Sequence, residues 1–418
     1  MRVGTGSSLH GRVLPAAALV LGLLAASTAG ADVLRFVEKL TSQGLLSRSS
    51  GEAIFTADGE TLYAPASGGI HIFRRDPLSG ALALVETQTG LLLTGGARTL
   101  SPDGAHFYHV GCAIGVGETN PSSFVQRFAR DPATDRLSPL GRESGARGCP
   151  LPPVWSPDGA HLYVATRLFD RDGFLSSTFI ATYARDAVTG ALTHVAEREG
   201  GAPLAMAADG ATLYAHEGAT LEAYARDPAS GQLAPIQSVP VGSIGYEPAI
   251  TDAVLVSPDA AHVYASNWFE SRIVWYRRAA ATGRLEPAGV VEQGVDGVSG
   301  IDSVMRLLLS PDGRHLYARG ASSPELALFA RDAADGALAF AGTIPTRLEE
   351  RLGFGMITLT PDGAQAYATS DAEQLPGAQP RRRSPLRHHS PVGRSGHVRV
   401  RARGRRGGGS RLARAVSS

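Results

Sequence analysis

The chain has 418 residues with 50 glycines, 26 prolines and only 6% aromatic residues, a composition that indicates a turn-rich all-β protein. Its formal net charge of +1 conceals two opposed regions, because residues 371–418 hold twelve arginines, no lysine and two carboxylates, which leaves −9 for the remainder. Nothing in that acidic body indicates a nucleic-acid partner, so binding of DNA or RNA is not expected of it.

The N-terminal residues have the features of a secretion signal. Arg2 and Arg12 precede an apolar run over residues 13–26, which is too short to cross a bilayer comfortably, and an Ala-Gly-Ala cleavage motif follows it. We therefore predict a signal peptide over residues 1–31 and a secreted or periplasmic protein that has no membrane attachment after cleavage. An uncleaved anchor is the alternative.

A turn phrase recurs seven times along the chain: an apolar residue, Ser-Pro-Asp-Gly or a close variant, two further residues, and an apolar residue followed by Tyr. Proline presets φ for a β-turn, aspartate bonds its own backbone, and glycine supplies the positive φ that closes the turn. Successive copies are 45 to 55 residues apart, with the glycine position at Gly59, Gly104, Gly159, Gly210, Ala260, Gly313 and Gly363.

A second phrase follows six of the seven copies. It consists of an apolar or aromatic strand, a turn that usually begins with Asp and carries Gly, and a leucine that opens the next strand; it begins at Ile72, Phe128, Tyr183, Tyr224, Tyr276 and Phe329. Two tight turns and two looser connections per period give four short strands per repeat. We therefore predict a seven-bladed β-propeller of four-stranded antiparallel blades over residues 32–370.

The repeat pattern is incomplete in the last blade, where the ring must close. Residues 34–44 resemble the outer strand that follows each second phrase, so we predict that this N-terminal strand closes the last blade. After Tyr367 the second phrase is missing, and residues 371–418 form an Arg/Gly-rich tail that we expect to be disordered or read out of frame. Residues 397–403 alternate and are a candidate inner strand for blade seven.

The variable loops of such a propeller lie on one face. Because the strands are antiparallel, both tight turns fall at one end of each blade, and the other connections fall at the opposite end. Those connections differ in length and composition, so we predict that a small-molecule or protein ligand binds there, around the central channel. Cys112 and Cys149 fall on this loop face, where export permits a disulfide; two reduced, buried thiols are the alternative.

Polar residues on the loop face are the candidate site. Arg98, His109 and Arg306 are the candidate catalytic residues. Arginines and carboxylates around a channel mouth could hold an anionic or sugar-like ligand, although ion pairing that satisfies loop backbone is the alternative. The candidate ligand-binding residues are Glu52, Asp252, Asn267, Arg272, Asp302 and Arg351, and His216, Glu217 and Glu247 lie on the same face.

Four histidines occupy one repeat position: His106, His161, His262 and His315. Equivalent positions of a repeat lie in separate blades, so these side chains cannot form one metal cluster, and we expect them to face the surface. No phosphate-binding loop, nucleophile elbow or zinc pattern occurs. We therefore expect no metal and no cofactor, and we expect a monomer.

The two phrases resemble those of the seven-bladed lactonase family, which includes bacterial 6-phosphogluconolactonase and fungal muconate-lactonizing enzymes, over about residues 34–370. The resemblance implies metal-independent formation or hydrolysis of a lactone by His, Arg and Glu side chains at the channel mouth. Family members usually carry Pro-His before the turn, and Arg98 follows Gly-Gly-Ala there instead; Asn267 and Arg272 lie near the family's Asn-Arg strand end. We expect an exported ligand- or protein-binding scaffold, with a lactone hydrolase as the alternative.

Overall fold

The computed structural model describes residues 18–26, 34–43, 53–66, 68–91, 93, 96–113, 122–169, 175–243, 253–321, 323, 325–345 and 356–372. These residues form β-strands and turns, and no helix occurs among them. In the described ranges there is accordingly no helix of the length and apolarity that a membrane crossing requires.

The strands are numbered in chain order. Two N-terminal strands, β1 (Ala18–Ala26) and β2 (Leu34–Gln43), precede the repeats. Blade one is β3 (Ile54–Phe55), β4 (Thr61–Ala66), β5 (Gly69–Arg75) and β6 (Leu82–Thr89). Blade two is β7 (Ala97–Leu100), β8 (His106–Ala113), β9 (Ser122–Arg130) and β10 (Leu137–Arg147). Blade three is β11 (Cys149–Pro150), β12 (Val154–Trp155), β13 (His161–Phe169), β14 (Leu175–Arg185) and β15 (Leu192–Glu199).

The remaining strands continue the same order. Blade four is β16 (Leu204–Met206), β17 (Thr212–Glu217), β18 (Thr220–Arg226) and β19 (Leu233–Pro240). Blade five is β20 (Val254–Val256), β21 (His262–Asn267), β22 (Arg272–Arg278) and β23 (Leu285–Glu292). Blade six is β24 (Val304–Leu309), β25 (His315–Gly320), β26 (Glu325–Arg331) and β27 (Leu338–Pro345). The chain then forms β28 (Met356–Leu359) and β29 (Gln365–Ala372).

The blades form an all-β propeller. Within each blade consecutive strands pair antiparallel, except that β11 and β12 of blade three both pair with β13. The inner strand β3 lies against β7, and β12, β16, β20 and β24 lie against one another in that order. The core lies between blades: Tyr264 and Trp275 of blade five pack against Val304, Leu307 and Leu316 of blade six. Burial of each large apolar side chain contributes roughly 1.5–3 kcal/mol, so the stacked faces hold the ring together.

The turn phrases also join neighbouring blades through hydrogen bonds. Between blades five and six, Arg331 donates from Nε to Tyr264 Oη (2.8 Å) and from Nη2 to Asp259 Oδ2 (2.8 Å), and Nη2 lies 2.8 Å from His262 Nδ1. Tyr264 Oη in turn donates to Gly336 O (2.7 Å). We call this arrangement a latch. Related latches are centred on Arg75, Arg130, Arg185, Arg226 and Arg278.

The latch corrects the expectation that the repeated histidines face the surface. His106, His161 and His262 are buried, and His315 is partly buried. Nδ1 of each of the three buried rings lies 2.8 to 2.9 Å from the latch arginine of the next blade. The sequence expectation was wrong because the partner of each histidine comes from the neighbouring repeat.

Both ends of the described chain contribute to one further sheet, here called the terminal sheet. Its strand order is β2-β1-β29-β28, with β2 at the outer edge. Counted outward from β28, the third strand is β1, which pairs with β29 and lies within the predicted signal peptide. It takes this place because the second phrase, which supplies the third strand of the other blades, is missing after β29. Six blades are therefore built alike from consecutive strands, rather than the predicted seven, and residues 397–403 lie outside the described part of the chain.

Candidate functional site

Arg98 lies on the innermost strand of blade two. It stands in register opposite His109 on β8, and its Nη2 donates to the carbonyl oxygen of Leu93 at 2.9 Å. The side chain is buried, and burial lowers the pKa of Arg98 to about 10. The guanidinium therefore stays charged at neutral pH and anchors the connection that enters the blade.

His109 is the neighbour of Arg98 and is fully buried. Its ring meets the ring of Phe124 edge-on, with the centroids 5.7 Å apart. Burial, and then the positive charge of Arg98, lower the pKa of His109 to about 3. The imidazole is therefore neutral at neutral pH, and Arg98 carries the charge of this pair.

Blade six brings two arginines together. Arg306 on β24 stands in register opposite Arg319 on β25, and Arg306 is partly exposed whereas Arg319 is buried. Burial, and then the charge of Arg306, lower the pKa of Arg319. Arg319 was missed in the sequence analysis, although its place two residues after Tyr317 fixes it opposite Arg306 once the repeat register is known.

Asn267 and Arg272 hold a neighbouring segment of backbone. Asn267 Nδ2 donates to Ser243 O at 3.1 Å, and its Oδ1 accepts from the backbone of Glu270 at 2.8 Å. Arg272 Nη2 pairs with Glu270 Oε2 at 2.7 Å and donates to Val241 O at 2.9 Å. These contacts fix the segment that leaves blade four against the turn of blade five, as the ion-pairing alternative describes.

Gly242 lies directly beneath the side chains of Asn267, Glu270 and Arg272, where only a glycine fits. A Cβ on this residue would lie 2.2 Å from Glu270 Oε2, 2.4 Å from Asn267 Nδ2 and 2.5 Å from Arg272 Nη2. The polar side chains of blade five therefore close directly over the backbone of the preceding connection.

Asp302 links blades five and six at the loop face. Its exposed carboxylate accepts a bond from Ser271 Oγ at 3.3 Å, and Ser271 Oγ accepts from the backbone of Ser303 at 2.9 Å. Ser271 and Ser303 both have φ near +52°, so this junction is a set of tight, polar turns.

The other predicted residues are dispersed. His216 is buried, donates through Nε2 to Ser266 O at 3.0 Å, and has its pKa lowered to about 4 by burial. Burial, followed by the charges of Glu222 and Glu199, raises the pKa of Glu217. The remaining predicted residues, Glu52, Glu247, Asp252 and Arg351, lie outside the described ranges.

A disulfide joins Cys112 of β8 to Cys149 of β11, with Cα atoms 5.1 Å apart. It connects blades two and three at the loop face, as the sequence analysis expected of an exported chain. Cys149 stands opposite Arg167, a buried residue that the sequence analysis did not single out.

Two aromatic side chains are exposed on the same face. Trp268 and Phe269 occupy the turn between β21 and β22 and are 37% and 58% exposed. Contiguous exposed apolar surface of this kind marks interaction sites in soluble proteins. Within the described residues, no group of three or more His, Cys, Asp and Glu side chains could hold a metal ion.

Comparisons with known proteins find that the chain is similar to lactonase propellers. The model of the family described as lactonase, seven-bladed β-propeller, matches residues 219–347. The periplasmic gluconolactonase of Pseudomonas aeruginosa superposes with a TM-score of 0.56 at 18% identity, covering 79% of this chain and 96% of that one.

Two further solved structures are similar to the chain. A protein assigned as a 6-phosphogluconolactonase from Bacteroides uniformis gives a TM-score of 0.55 at 17% identity, covering 84% of this chain and 88% of its own. One with the same assignment from Bacteroides fragilis gives 0.52 at 18% identity, covering 78% and 94%. No curated protein sequence matches significantly. The chain is therefore a lactonase-like β-propeller, similar at the superfamily level to the propellers of the lactonase family.

Proposed function

We propose that this protein is a lactone hydrolase whose substrates are anionic lactones bound at the loop face. The family match and the names of the similar structures support this alternative over the binding scaffold that the sequence analysis put first. Identities below 20% show the shared fold, so the activity itself is argued from the residues of this chain.

The Arg306–Arg319 pair carries the proposal. Two guanidinium groups in register on the first two strands of blade six concentrate positive charge beside the channel, in a body whose net charge is negative. A phosphate or carboxylate accepts charge-assisted hydrogen bonds from guanidinium groups, so a pair of neighbouring arginines suits an anionic ligand. Arg306, which is partly exposed, is the member that a ligand can reach.

The same charge suits the reaction. In lactone hydrolysis the oxygen of a water molecule adds to the ring carbonyl carbon and releases one proton, which leaves a tetrahedral oxyanion. The oxyanion then collapses, the ring C–O bond breaks, and the departing ring oxygen takes up a proton, so that lactone and water give one hydroxy acid. A fixed positive charge stabilises that oxyanion without having to reorganise in the transition state. Arg98, oriented by Leu93 and flanked by the neutral His109, supplies a second fixed guanidinium on the inner strand of blade two.

The test is acid release from a panel of lactones with and without a phosphate or carboxylate group. We expect turnover of the anionic members, and Arg306→Gln should lower kcat/KM by roughly 100-fold or more. Arg314→Gln, on the exposed turn of the same blade, is the matched control and should leave kcat/KM unchanged. Failure of every lactone to turn over above background would rule out the hydrolase.

A binding function has one specific observation in its favour, the exposed pair Trp268 and Phe269. Aromatic side chains of this kind anchor ligands and protein partners. If the loop face serves mainly for binding, Trp268→Ala should abolish retention of a ligand or partner, whereas hydrolysis of simple lactones should persist in the same variant.

We also infer that β28 and β29, the two inner strands of the terminal sheet, belong to a seventh blade. Tyr367 of β29 donates to Gly80 O at 2.6 Å, and Arg75 pairs with Asp362 at 2.8 Å, which are the contacts that join other neighbouring blades. Asp362→Asn should therefore destabilise the protein as much as Asp259→Asn. An unaffected urea midpoint for Asp362→Asn would contradict a closed ring of seven.

Export is a further proposal, supported by the N-terminal pattern and by the disulfide, since disulfides persist in oxidising compartments. The mass of the protein recovered from periplasm and medium should correspond to a chain that begins at Asp32. Recovery of an intact N-terminus from the cytoplasm alone would refute it.

A further inference from the structure

The turn between β21 and β22 differs from the corresponding turns of other blades, because it carries the exposed aromatic side chains of Trp268 and Phe269. The corresponding turns of blades one, four and six contain only glycine, alanine, serine and proline, over residues 67–68, 218–219 and 321–324. The repeat therefore does not require aromatic residues in this turn, and the proposed hydrolysis does not use them.

A third apolar side chain lies at the same end of blade five. Val295 is exposed and occupies the turn that follows β23. The two turns are joined by a hydrogen bond of 3.0 Å from Gln293 N to Ser271 O. We call Trp268, Phe269 and Val295 the blade-five patch, since exposed apolar surface of this kind marks interaction sites.

The protein itself holds the aromatic turn in place. Asn267 Oδ1 accepts a hydrogen bond from the backbone of Glu270 at 2.8 Å. Ser271 Oγ accepts one from the backbone of Ser303 at 2.9 Å. The turn is therefore formed before any partner binds, which lowers the entropic cost of association.

The charge around the patch is negative. The connections that form it, residues 267–272 and 292–303, contain one arginine and four carboxylates, a net charge of −3, and the carboxylates are Glu270, Glu292, Asp296 and Asp302. Arg272 pairs with two of them, Glu270 at 2.7 Å and Glu292 at 3.5 Å. Asp296 is exposed and directly follows Val295. Such a surface repels an anionic lactone and suits a ligand of the opposite charge.

We propose that the blade-five patch binds a basic segment of a partner protein, in which arginine side chains alternate with apolar ones. The carboxylates accept charge-assisted hydrogen bonds from the guanidinium groups. A planar guanidinium also stacks on the rings of Trp268 and Phe269, and the apolar side chains of the segment cover Val295. This interaction uses neither Arg98 nor Arg306, so it can occur whether or not the chain hydrolyses lactones.

The experiment uses the full chain and a labelled peptide of three Arg-Leu repeats, with matched peptides that carry lysine or glutamate in place of arginine. Fluorescence polarisation at low salt should show that the arginine peptide binds more tightly than the lysine peptide and that the glutamate peptide does not bind. Phe269→Ser should weaken binding of the arginine peptide by about tenfold. Leu78→Ser is the matched control, because this side chain is 94% exposed in a turn of blade one, and it should leave the affinity unchanged.

A second variant tests the charge alone. Asp296 has φ of +51°, which asparagine tolerates, so Asp296→Asn removes the charge without straining the turn. It should weaken binding of the arginine peptide by about threefold. Unchanged melting temperatures of all three variants would exclude unfolding as the cause of any loss.

Two outcomes would overturn the proposal. The first is that the three peptides bind alike, or that Phe269→Ser binds the arginine peptide as well as Leu78→Ser does. The second is self-association of the chain in sedimentation velocity that Phe269→Ser abolishes, which would assign the blade-five patch to a second copy of this chain.

Discussion

The turn face and the loop face of this propeller follow different rules. On the turn face the same arginine, aspartate and tyrosine recur from blade to blade and bind the neighbouring repeat. On the loop face no described blade repeats the polar residues of another: blade two presents Arg98 and His109, blade six Arg306 and Arg319. The repeated residues thus hold neighbouring blades together, and the residues that do not repeat are available to form a binding or catalytic site.

The two faces differ because the latch arginines of the turn face are buried. The side chains of Arg185, Arg226, Arg278 and Arg331 are 1–3% exposed, so each guanidinium has lost its hydration. That cost is offset only when several acceptors surround the group, and removal of one partner leaves a buried charge. The turn face is therefore intolerant of change, whereas residues on the loop face can diverge.

Acid should lower the stability that the turn-face contacts supply by more than any single substitution does. Burial alone would raise the pKa of Asp103, Asp158 and Asp259, but bonds from a serine hydroxyl, a backbone amide and the latch arginine outweigh it and hold each pKa at about 2. Because the folded-state pKa lies below 3.8, the ordinary pKa of an aspartate, this stabilisation is present above that pH and is lost as the pH falls towards 2.

The buried histidines act in the same direction. Burial lowers the pKa of His106, His161 and His262 below 6.5, so the unfolded chain binds protons first and stability begins to fall below that pH. Urea midpoints measured from pH 7 to pH 2 should decline in two stages. A midpoint that stays constant down to pH 3 would contradict the latch as a source of stability.

Removal of one latch arginine should have the next largest effect. Arg331→Ala leaves Asp259, His262 and Tyr264 without their shared donor and should lower the free energy of unfolding by about 3–5 kcal/mol, measured by urea denaturation. Arg314→Ala on the same face is the control, since its side chain is 73% exposed and should change stability by less than about 0.5 kcal/mol. Equal effects of the two variants would be inconsistent with the latch.

Removal of the disulfide measures how much this cross-link on the loop face contributes to stability. Cys112 and Cys149 are separated by 37 residues, and loss of a cross-link over such a loop costs about 3–4 kcal/mol in the chain-entropy model. Paired Cys112→Ser and Cys149→Ser substitutions should lower the unfolding free energy by up to that amount. A reducing agent should reproduce the loss in the wild type and change nothing in the double variant.

The smallest effect on stability is expected at the candidate site. Arg306→Gln removes a partly exposed charge that opposes Arg319, so the free energy of unfolding should change by less than about 1 kcal/mol. A large destabilisation would show that Arg306 helps to hold the ring together. The proposed difference between the two faces would then not apply to blade six.

The sequence alone determined the repeat, the four strands of each period and the separation of the two faces, because turn chemistry and alternation are local properties. It also predicted the disulfide between Cys112 and Cys149, which the structure contains. The pairing of Arg98 with His109 follows from the strand register, so this part of the candidate site was within reach of sequence reasoning.

Only the tertiary structure decided the rest. The histidines of the turn phrase were expected at the surface, and they are buried because their arginine comes from the next blade, some 70 residues along the chain. The contacts of Asn267 and Arg272 with the backbone that follows blade four were also not visible in the sequence, and their role in ligand binding stays a prediction. The apolar run of residues 18–26 suits a signal peptide and a central strand equally well, since both require apolar side chains, and its place beside β29 depends on pairing that no local pattern specifies.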